Sequence, residues 1–329
     1  MAQPGVSVVI PTYNRAALLP RAIASAVANV VAGDEIIVVD DGSTDRTAAV
    51  VRRYGERVRY LPLPHAGAGA ARNAGIEAAA NPLIAFLDSD DEWLPGKLAL
   101  QRAVFRRWPE VRLCFTDFQV RDREGVLHRR YLRRWHRDSR DWAKALGPAQ
   151  AEGGARVHVG SVYRLLMARL YVATFTAVVR VDADSPLPRF PVDLPTYEDW
   201  QFFGHAAACG PSAFVDCETA IQHGHQLPRL TDAGTLVEAE TRVRVLRRVW
   251  GADAPFLEHH GPEYERLLAE HRDRVQVAVA REYLKSGDTI AARVVLNHAE
   301  QVSPLLRWCA RLPGNLAALL IVLRDWILP

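Results

Sequence analysis

Cysteine is scarce in this sequence, which argues against two kinds of scaffold. Four cysteines in 329 residues are too few for a disulfide framework, and no C-x-x-C pair suggests a zinc site. They are Cys114, Cys209, Cys217 and Cys309. We therefore expect free thiols in a reducing compartment, with the cytoplasm as the default.

A basic leader and long apolar runs are also missing. The first residues carry no positive side chain, and the apolar run after them stops at Pro11, too soon for a secretory signal. The late apolar run 316–323 is shorter than the roughly 20 residues that a spanning helix needs. Arg324 and Asp325 close it. The sequence predicts neither export nor a membrane-spanning helix.

Low-complexity tracts and repeats do not occur, and the charge is nearly balanced. A hydrophobic fraction of 49% with 24% charged residues is typical of a folded chain, long enough for one large domain with an appendage or for two. A net charge of +3 without a known module gives little support to nucleic-acid binding. One stretch departs from this balance, because residues 121–140 hold eight arginines against three acidic residues.

Short apolar runs alternate with helical patterns in the first hundred residues. This alternation predicts a parallel sheet with helices between its strands. The predicted strands are Val6–Ile10, Glu35–Val39, Val58–Leu61 and Leu83–Leu87, all expected to be buried, and the predicted helices lie around 19–30, 44–54 (with Ser43 as N-cap) and 68–80. Beyond residue 100 we expect a strand at Tyr171–Val181, a helix at Glu198–Ala208 and, after a break near 226–235, a helical region.

Polar residues follow three of these strands, where ligands of open parallel sheets gather. Tyr13 is either a stacking partner for a base or ordinary packing, and Asp41 either accepts hydrogen bonds from a nucleoside or belongs to a turn. Asp88 and Asp90 are two apart in a segment expected to be extended, so both could bind one Mg²⁺ or Mn²⁺ while Asp91 points away. The alternative is a solvated turn.

The segment 67–75 has the small residues of a phosphate-binding loop but lacks the context of a dinucleotide fingerprint. It follows the third strand, and Arg72 stands where the third glycine belongs. We expect Arg72 to neutralise a diphosphate at the helix N-terminus. The alternative for the glycines and alanines is close helix packing.

Taken in order, these segments resemble glycosyltransferase family 2, the inverting group with the GT-A fold. The resemblance covers about residues 5–225 and includes a later Glu-Asp motif. It is carried by Val6–Arg15, Val38–Asp45, Gly69–Gly75, Phe86–Asp91 and Tyr197–Trp200.

The resemblance implies a GT-A, Rossmann-like, mainly parallel mixed sheet flanked by helices, and a nucleotide-sugar donor. The implied donor-binding residues are Pro11, Thr12, Tyr13, Asp41, Arg72 and Asp88. Asp90, with Asp88 and His225, would bind the divalent cation, although Gln222–His225 departs from the usual arginine-containing pattern. Asp199 would be the general base that deprotonates an acceptor hydroxyl, and Glu198 would position it.

The expected domains are 1–228, a catalytic domain with a donor half (1–100) and an acceptor half (101–228), and 229–329, a helical C-terminal region. Uridine diphosphate sugars are the expected donors because they are the commonest in the family. A glycan or lipid-linked acceptor would suit surface polysaccharide or glycolipid synthesis. The rival classes are a non-catalytic nucleotide- or glycan-binding member and a sugar-phosphate nucleotidyltransferase; the latter would need a glycine-rich loop after the first strand.

The basic stretch 121–140 allows two interpretations. It is either a solvated excursion of the chain or a surface that recruits an anionic acceptor at the cytoplasmic face of a membrane, together with the C-terminal helix and Trp326. In the second case the protein would be cytoplasmic with a peripheral membrane contact.

Overall fold

A computed structural model describes residues 4–132, 146–181, 187–225, 234–300 and 302–327. The chain divides into two compact units. The first comprises Met1–Asp193 and Glu198–Leu227, and the second comprises Leu194–Tyr197 and Pro228–Pro329. Across the described ranges, no helix combines the length and apolarity needed to span a membrane.

Eleven strands form one mixed sheet among the described residues, all in the first unit. They are β1 Val6–Thr12, β2 Glu35–Asp40, β3 Arg59–Pro62, β4 Leu83–Phe86, β5 Glu92–Trp93, β6 Leu113–Arg121, β7 Leu127–His128, β8 Gln150–Glu152, β9 Ala155–Gly160, β10 Val178–Arg180 and β11 Ser212–His223.

Six described helices belong to the first unit and five to the second. The first six are α1 Leu19–Val27, α2 Thr47–Arg52, α3 Ala68–Ala78, α4 Lys97–Arg107, α5 Tyr163–Ala168 and α6 Glu198–Ala208. The others are α7 Thr235–Val249, α8 Ala254–Lys285, α9 Thr289–Leu296, α10 Pro304–Cys309 and α11 Gly314–Ile327.

The sheet order is β3-β2-β1-β4-β10-β6-β11-β9-β8, and β3, β2, β1 and β4 are mutually parallel. The chain moves outward from β1 to β3 and then crosses back to place β4 on the other side of β1. This reversal between β1 and β4 is the topological switch point at which α/β sheets bind ligands. The predicted mixed α/β sheet with flanking helices is confirmed.

Burial explains why the first strands form the centre of the sheet. All seven residues of β1 and all four of β4 are buried, because helices cover a parallel sheet on both faces. In α1 the side chains of Leu19 and Ile23 are fully buried, and Pro20 occupies the first turn as predicted.

Several sequence-based boundaries were wrong. The third strand was expected to be buried, but β3 is the edge of the sheet and partly exposed, and Pro62 at its end suits an edge position. The helix predicted at 44–54 begins only at Thr47, because the Ser43 hydroxyl accepts a hydrogen bond from the Asn14 amide and does not cap it. Of the strand predicted at Tyr171–Val181 only β10 forms, preceded by a 3-10 turn at Thr174–Thr176.

The second unit is helical in all its described elements. Asp288 caps α9 by accepting a hydrogen bond from the Ala291 amide, and Gly287 before it has a φ of 82° that suits glycine. A cluster of buried residues from α8, α9, α10 and α11 forms its core, including Leu284, Leu296 and Ile321. Within the same unit, the Arg242 guanidinium stacks 4.7 Å from the ring centre of Tyr197 and donates to its hydroxyl.

Candidate active site

The carboxyl ends of β1 and β2 are joined by hydrogen bonds. Pro11 and Thr12 are the last two positions of β1, and the Asp41 amide donates to the Thr12 carbonyl at 2.9 Å. The Thr12 hydroxyl is buried and has no hydrogen-bond partner among the described residues. Tyr13 follows with 42% of its surface exposed, so a ring at this edge remains open to solvent.

The Asp41 carboxylate holds the chain that leaves β3. Its two oxygens accept hydrogen bonds from the amides of Ala66 (2.7 Å) and Gly67 (2.9 Å). The His65 imidazole lies 2.9 Å from the same carboxylate. Asp41 therefore fixes the loop that leads into α3, and any contact with a nucleoside comes in addition to this role.

His65 is a residue that the sequence reasoning missed. Its ring stacks on Tyr13 with ring centres 4.2 Å apart and planes 20° apart. The signal was available, because β3 ends at Pro62 on the same edge of the parallel sheet as β1 and β2. The two rings provide an aromatic surface beside the ends of these strands.

The acidic segment after β4 forms a turn and is not extended. The expectation that an extended segment would place Asp88 and Asp90 on the same side was therefore wrong. The Asp91 amide donates to the Asp88 carbonyl at 3.1 Å, closing the turn. The two carboxylates are nevertheless close enough to interact: burial raises the pKa of Asp88, Arg72 opposes this, and the charge of Asp90 adds to the increase. Asp91 accepts a hydrogen bond from the His223 amide.

Arg72 connects the donor side of this site with the later Glu-Asp motif. Its guanidinium donates to Asp88 at 2.9 Å and to Glu198 at 2.8 Å. The arginine is only 5% exposed, and its guanidinium carbon lies 5.2 Å from the centre of the Phe190 ring. This buried bridge brings α3, the end of β4 and the start of α6 together.

Asp199 lies in the first turn of α6, next to this bridge. Its carboxylate accepts hydrogen bonds from the Trp200 amide at 2.8 Å and, at 3.4 Å, from the Thr174 hydroxyl. Burial, reinforced by the negative charge of Glu198, raises the pKa of Asp199 to about 7. A carboxyl group with such a pKa can exchange a proton near neutral pH.

His225 does not lie on the surface, which is the common position for a loop histidine. Its Nε2 is 2.6 Å from a carboxylate oxygen of Asp90, and its side chain is 8% exposed. His223 turns to Glu92 at 2.9 Å instead. Both histidines of the Gln222–His225 segment contact the acidic turn, His223 through its backbone amide and His225 through its imidazole.

The donor chemistry around Asp90 fits a divalent cation. Carboxylate oxygens suit Mg²⁺ and Mn²⁺, and an imidazole is a further ligand for transition metals. Within the described ranges, however, no three histidine, cysteine or acidic side chains stand close enough to hold a metal by themselves. A cation at this turn would therefore need ligands from outside the protein, such as diphosphate oxygens.

Two of the three glycines of the segment 67–75, Gly69 and Gly75, serve close packing of the helix, whereas Gly67 has a φ of 94° and no close neighbour. A Cβ on Gly75 would lie 2.3 Å from a methyl group of Val9 in β1, and one on Gly69 would lie 2.7 Å from the Pro191 carbonyl. These contacts support the packing alternative for the small residues.

Part of the basic stretch 121–140 is engaged in ion pairs. Arg129 lies 2.7 Å from Glu218, and Arg130 lies 2.9 Å from Asp216. Arg133, Arg134 and the other residues of 133–140 lie outside the described residues, as does the side chain of Trp326. The two described pairs reduce the charge that this stretch offers to an anionic partner.

Comparison with known proteins adds independent information. Residues 7–154 match the profile of glycosyl transferase family 2. An uncharacterized glycosyltransferase of Nostoc sp. is 38% identical over 156 residues, which are 46% of this chain and 44% of the relative. A UDP-Glc:alpha-D-GlcNAc-diphosphoundecaprenol beta-1,3-glucosyltransferase of Escherichia coli is 38% identical over 124 residues, 37% of this chain and 49% of that protein. The chain thus spans less than half the length of these relatives.

Solved structures share the fold over most of the chain. TarS of S. aureus, in complex with UDP-GlcNAc, has a TM-score of 0.59 at 18% identity and covers 89% of this chain and 90% of its own. The mannosyltransferase PcManGT of Pyrobaculum calidifontis, in complex with GDP-Man and Mn²⁺, has a TM-score of 0.55 at 17% identity. The match covers 99% of this chain and 88% of PcManGT. The profile match and the shared fold agree with the ordered motifs, and residues 7–154 therefore belong to glycosyl transferase family 2, in a chain with the GT-A glycosyltransferase fold.

Proposed function

We propose that the protein is an inverting glycosyltransferase that moves a sugar from a nucleoside-diphosphate sugar to an acceptor hydroxyl. The observation that carries this proposal is the Asp88–Arg72–Glu198 bridge. It joins the acidic turn after β4 to the motif that contains Asp199. The residues that would bind the donor and the residue that would accept the proton therefore belong to one site.

On the donor side, the Tyr13–His65 surface stacks on the base, and Pro11, Thr12 and Asp41 line the end of β1 and β2 beside the nucleoside. Asp88 lies next to the ribose. Asp90, with Asp88 and His225, would hold Mn²⁺ or Mg²⁺ together with oxygens of the diphosphate, and the bound cation would neutralise charge on the leaving group. Arg72 is buried and paired with both Asp88 and Glu198, so it supports the diphosphate site by fixing Asp88 and by offsetting part of the negative charge around it.

On the acceptor side, Asp199 takes the proton of the attacking hydroxyl. Its raised pKa makes it a stronger base than an exposed carboxylate, and its partial burial limits the access of water. Glu198 pairs with Arg72 and fixes the first turn of α6, so that Asp199 is presented in one orientation. Direct attack on the anomeric carbon gives inversion without a covalent enzyme intermediate.

A uridine diphosphate sugar is our first choice of donor. Our first choice of acceptor is a glycan or a lipid-linked molecule, in the synthesis of a surface polysaccharide or a glycolipid. The support is the name of the Escherichia coli relative, which uses UDP-Glc and a diphosphoundecaprenol-linked sugar. TarS in complex with UDP-GlcNAc adds support for the donor class. A lipid-linked acceptor would also require the protein to make a peripheral contact with the inner face of the membrane.

The test begins with thermal unfolding in the presence of nucleotide sugars and Mn²⁺, because a ligand that binds only the folded state raises the melting temperature. Transfer is then measured with a stabilising donor, and NMR of the product reports the anomeric configuration. We expect Asp199→Asn to lower turnover by roughly 10²–10⁴-fold without loss of donor binding, and Asp90→Ala to weaken metal-dependent donor binding as well.

Glu110→Gln is the matched control, since this exposed carboxylate lies outside the site and its loss should leave transfer unchanged. Near-normal turnover by Asp199→Asn would refute the assignment of Asp199 as the general base. Nucleotide binding without any transfer would favour the non-catalytic alternative, and no stabilisation by any nucleotide would refute the proposal as a whole.

A further inference from the structure

The second unit contains a cleft that none of the motifs predicts. It is a shallow cleft, open to solvent, between α7 and α8, which pack against each other, and its volume is about 450 Å³. Seven residues line it: Glu240, Val243, Arg244 and Arg247 from α7, and Arg272, Val275 and Gln276 from α8. Their spacing of three or four places one stripe of each helix along the cleft.

The lining is strongly basic for its size. Three arginines and one glutamate give the cleft a formal charge of +2. Among the described residues, the ion pairs of this unit lie elsewhere, at His260–Glu263, Arg266–Glu270 and Lys285–Glu282. Although Glu240 precedes Arg244 by four residues, a spacing at which opposite charges commonly pair, neither takes part in these pairs. Three exposed arginines therefore line the cleft without an ion pair among the described residues, and Glu240 offsets only one of their three charges.

Neutral hydrogen-bonding groups complete the lining. The side-chain oxygen of Gln276 is buried and has no donor among the described residues. A buried acceptor without a donor is costly, and rotation of the partly exposed Gln276 side chain toward the cleft would let a ligand hydroxyl satisfy it. The Glu240 carboxylate is a second acceptor, while Val243 and Val275 offer the apolar surface on which the C–H face of a sugar ring packs.

We propose that this cleft binds a phosphorylated sugar. Guanidinium groups bind phosphate oxygens through paired, charge-assisted hydrogen bonds, and three of them exceed what a neutral sugar would need. Gln276 and Glu240 receive the hydroxyl groups of the sugar. The inference concerns binding in the second unit and does not depend on the proposed transferase activity.

The experiment is calorimetric titration of the full chain with glucose 1-phosphate, inorganic phosphate and glucose, with UDP present throughout to occupy any nucleotide site. We expect glucose 1-phosphate to bind more tightly than inorganic phosphate, glucose not to bind detectably, and binding to weaken as NaCl is raised. Arg247→Gln and Arg272→Gln should each weaken binding of both phosphates by about tenfold.

Two further variants separate specific recognition from general attraction of anions. Gln276→Leu should weaken glucose 1-phosphate but leave inorganic phosphate unchanged, because only the sugar offers it a hydroxyl. Arg311→Gln removes an equal charge from an exposed position of the same unit outside the cleft and should change nothing. Circular dichroism of each variant shows that the helices are retained.

Several outcomes would overturn the proposal. Each of three results contradicts the proposal: glucose 1-phosphate does not bind, Arg247→Gln binds it as tightly as the parent protein does, or Arg311→Gln loses as much binding as Arg247→Gln. Binding of a poly-glutamate peptide in place of the sugar phosphate would instead identify a surface for an acidic protein segment. None of these results depends on whether sugar transfer is observed, so failure here and failure of the proposed function remain distinct.

Discussion

Asp199 combines two properties that oppose each other. Burial and the neighbouring charge of Glu198 raise its pKa to about 7, which suits a base that works near neutral pH. The same burial makes the ionised form unfavourable in the folded state. The folded protein therefore binds a proton at Asp199 more tightly than the unfolded chain does, and the difference must be visible in stability.

We predict that the contribution of Asp199 to the free energy of unfolding falls as the pH rises from about 4 to about 7, the interval between the unfolded and folded pKa values of this residue. Asp199→Asn removes the titrating group and, as an amide, keeps an oxygen for the Trp200 amide. Above about pH 7 the variant should be more stable than the parent protein, on the order of 2–4 kcal/mol. Urea unfolding across this pH range measures the difference.

The pH dependence of transfer by the unchanged protein provides the matching control. Its kcat/KM should rise about tenfold per pH unit below about pH 7 and then become constant, because only ionised Asp199 accepts the proton. A variant that is no more stable than the parent above this pH would contradict the assignment of the pKa, as would a flat rate profile.

Some residues of the candidate site could be predicted from the sequence, and others could not. Asp41, Asp88, Asp90 and Asp199 are recognisable because carboxylates at strand ends and in an ordered motif stand out. The bridge made by Arg72 could not be read from the sequence, since Glu198 lies 126 residues away and nothing local pairs them. His65 could have been found by considering the loop after the third strand as well as the loops after the first two.

At the scale of elements, helix α3 shows how closely one face of the sheet is packed. Gly75 faces Val9 in the middle of β1, and a methyl group there would lie 2.3 Å from a valine carbon. Val9 is fully buried in the centre of the sheet. The glycine therefore sets the distance between α3 and β1, and with it the position of Arg72 on the same helix.

We predict that Gly75→Ala destabilises the protein by about 1–3 kcal/mol, the usual cost of overpacking a core. This outweighs the gain of up to about 1 kcal/mol that alanine brings to a helix interior. Chemical denaturation measures the change. Val9→Ala is the partner variant, and the double variant should lose clearly less stability than the sum of the two single ones.

Additivity of the two substitutions would contradict the predicted contact. The test is informative because Val9→Ala alone leaves a cavity, whereas Gly75→Ala in the same protein supplies a methyl group to fill it. Rescue between two positions is not expected if either substitution acts only through local helix or strand propensity.

The short strand β10 illustrates what periodicity cannot predict. The segment before it is apolar and β-branched, as in a strand, but the Phe175 carbonyl accepts a hydrogen bond from the Trp93 indole. The Thr176 carbonyl is taken by the side chains of Lys97 and Gln101. Side chains from α4 and β5 thus replace the neighbouring strand as hydrogen-bond partners, and no local pattern reveals this.

At the scale of the molecule, the two proposed ligands belong to different units. A nucleoside diphosphate with Mn²⁺ concerns the strand ends of the first unit, and a sugar phosphate concerns α7 and α8 of the second. The overall fold was predictable because its βα units carry strong local patterns. The cleft was not, because arginines on a helix face are indistinguishable from a solvated surface until the facing helix is known.

We predict two separate footprints in hydrogen exchange. UDP with Mn²⁺ should slow exchange at 12–14, 41–43 and 88–90, and glucose 1-phosphate should slow it at 240–247 and 272–276. At a fixed ligand concentration Asp90→Ala should weaken the first footprint and keep the second, while Arg247→Gln should weaken the second and keep the first. A single footprint shared by both ligands would contradict the assignment of two sites.

The division of the chain has a practical consequence for work on fragments. Residues 194–197 belong to the second unit, yet they come immediately before Glu198 and Asp199 of the first. A protein shortened to residue 193 lacks Asp199, the proposed base. A protein shortened to residue 227 keeps residues 194–197 but lacks the rest of the second unit, to which they belong. No single cleavage separates the units intact, so a truncation series should be interpreted as damage to both, and point variants are the sounder means of dissecting this enzyme candidate.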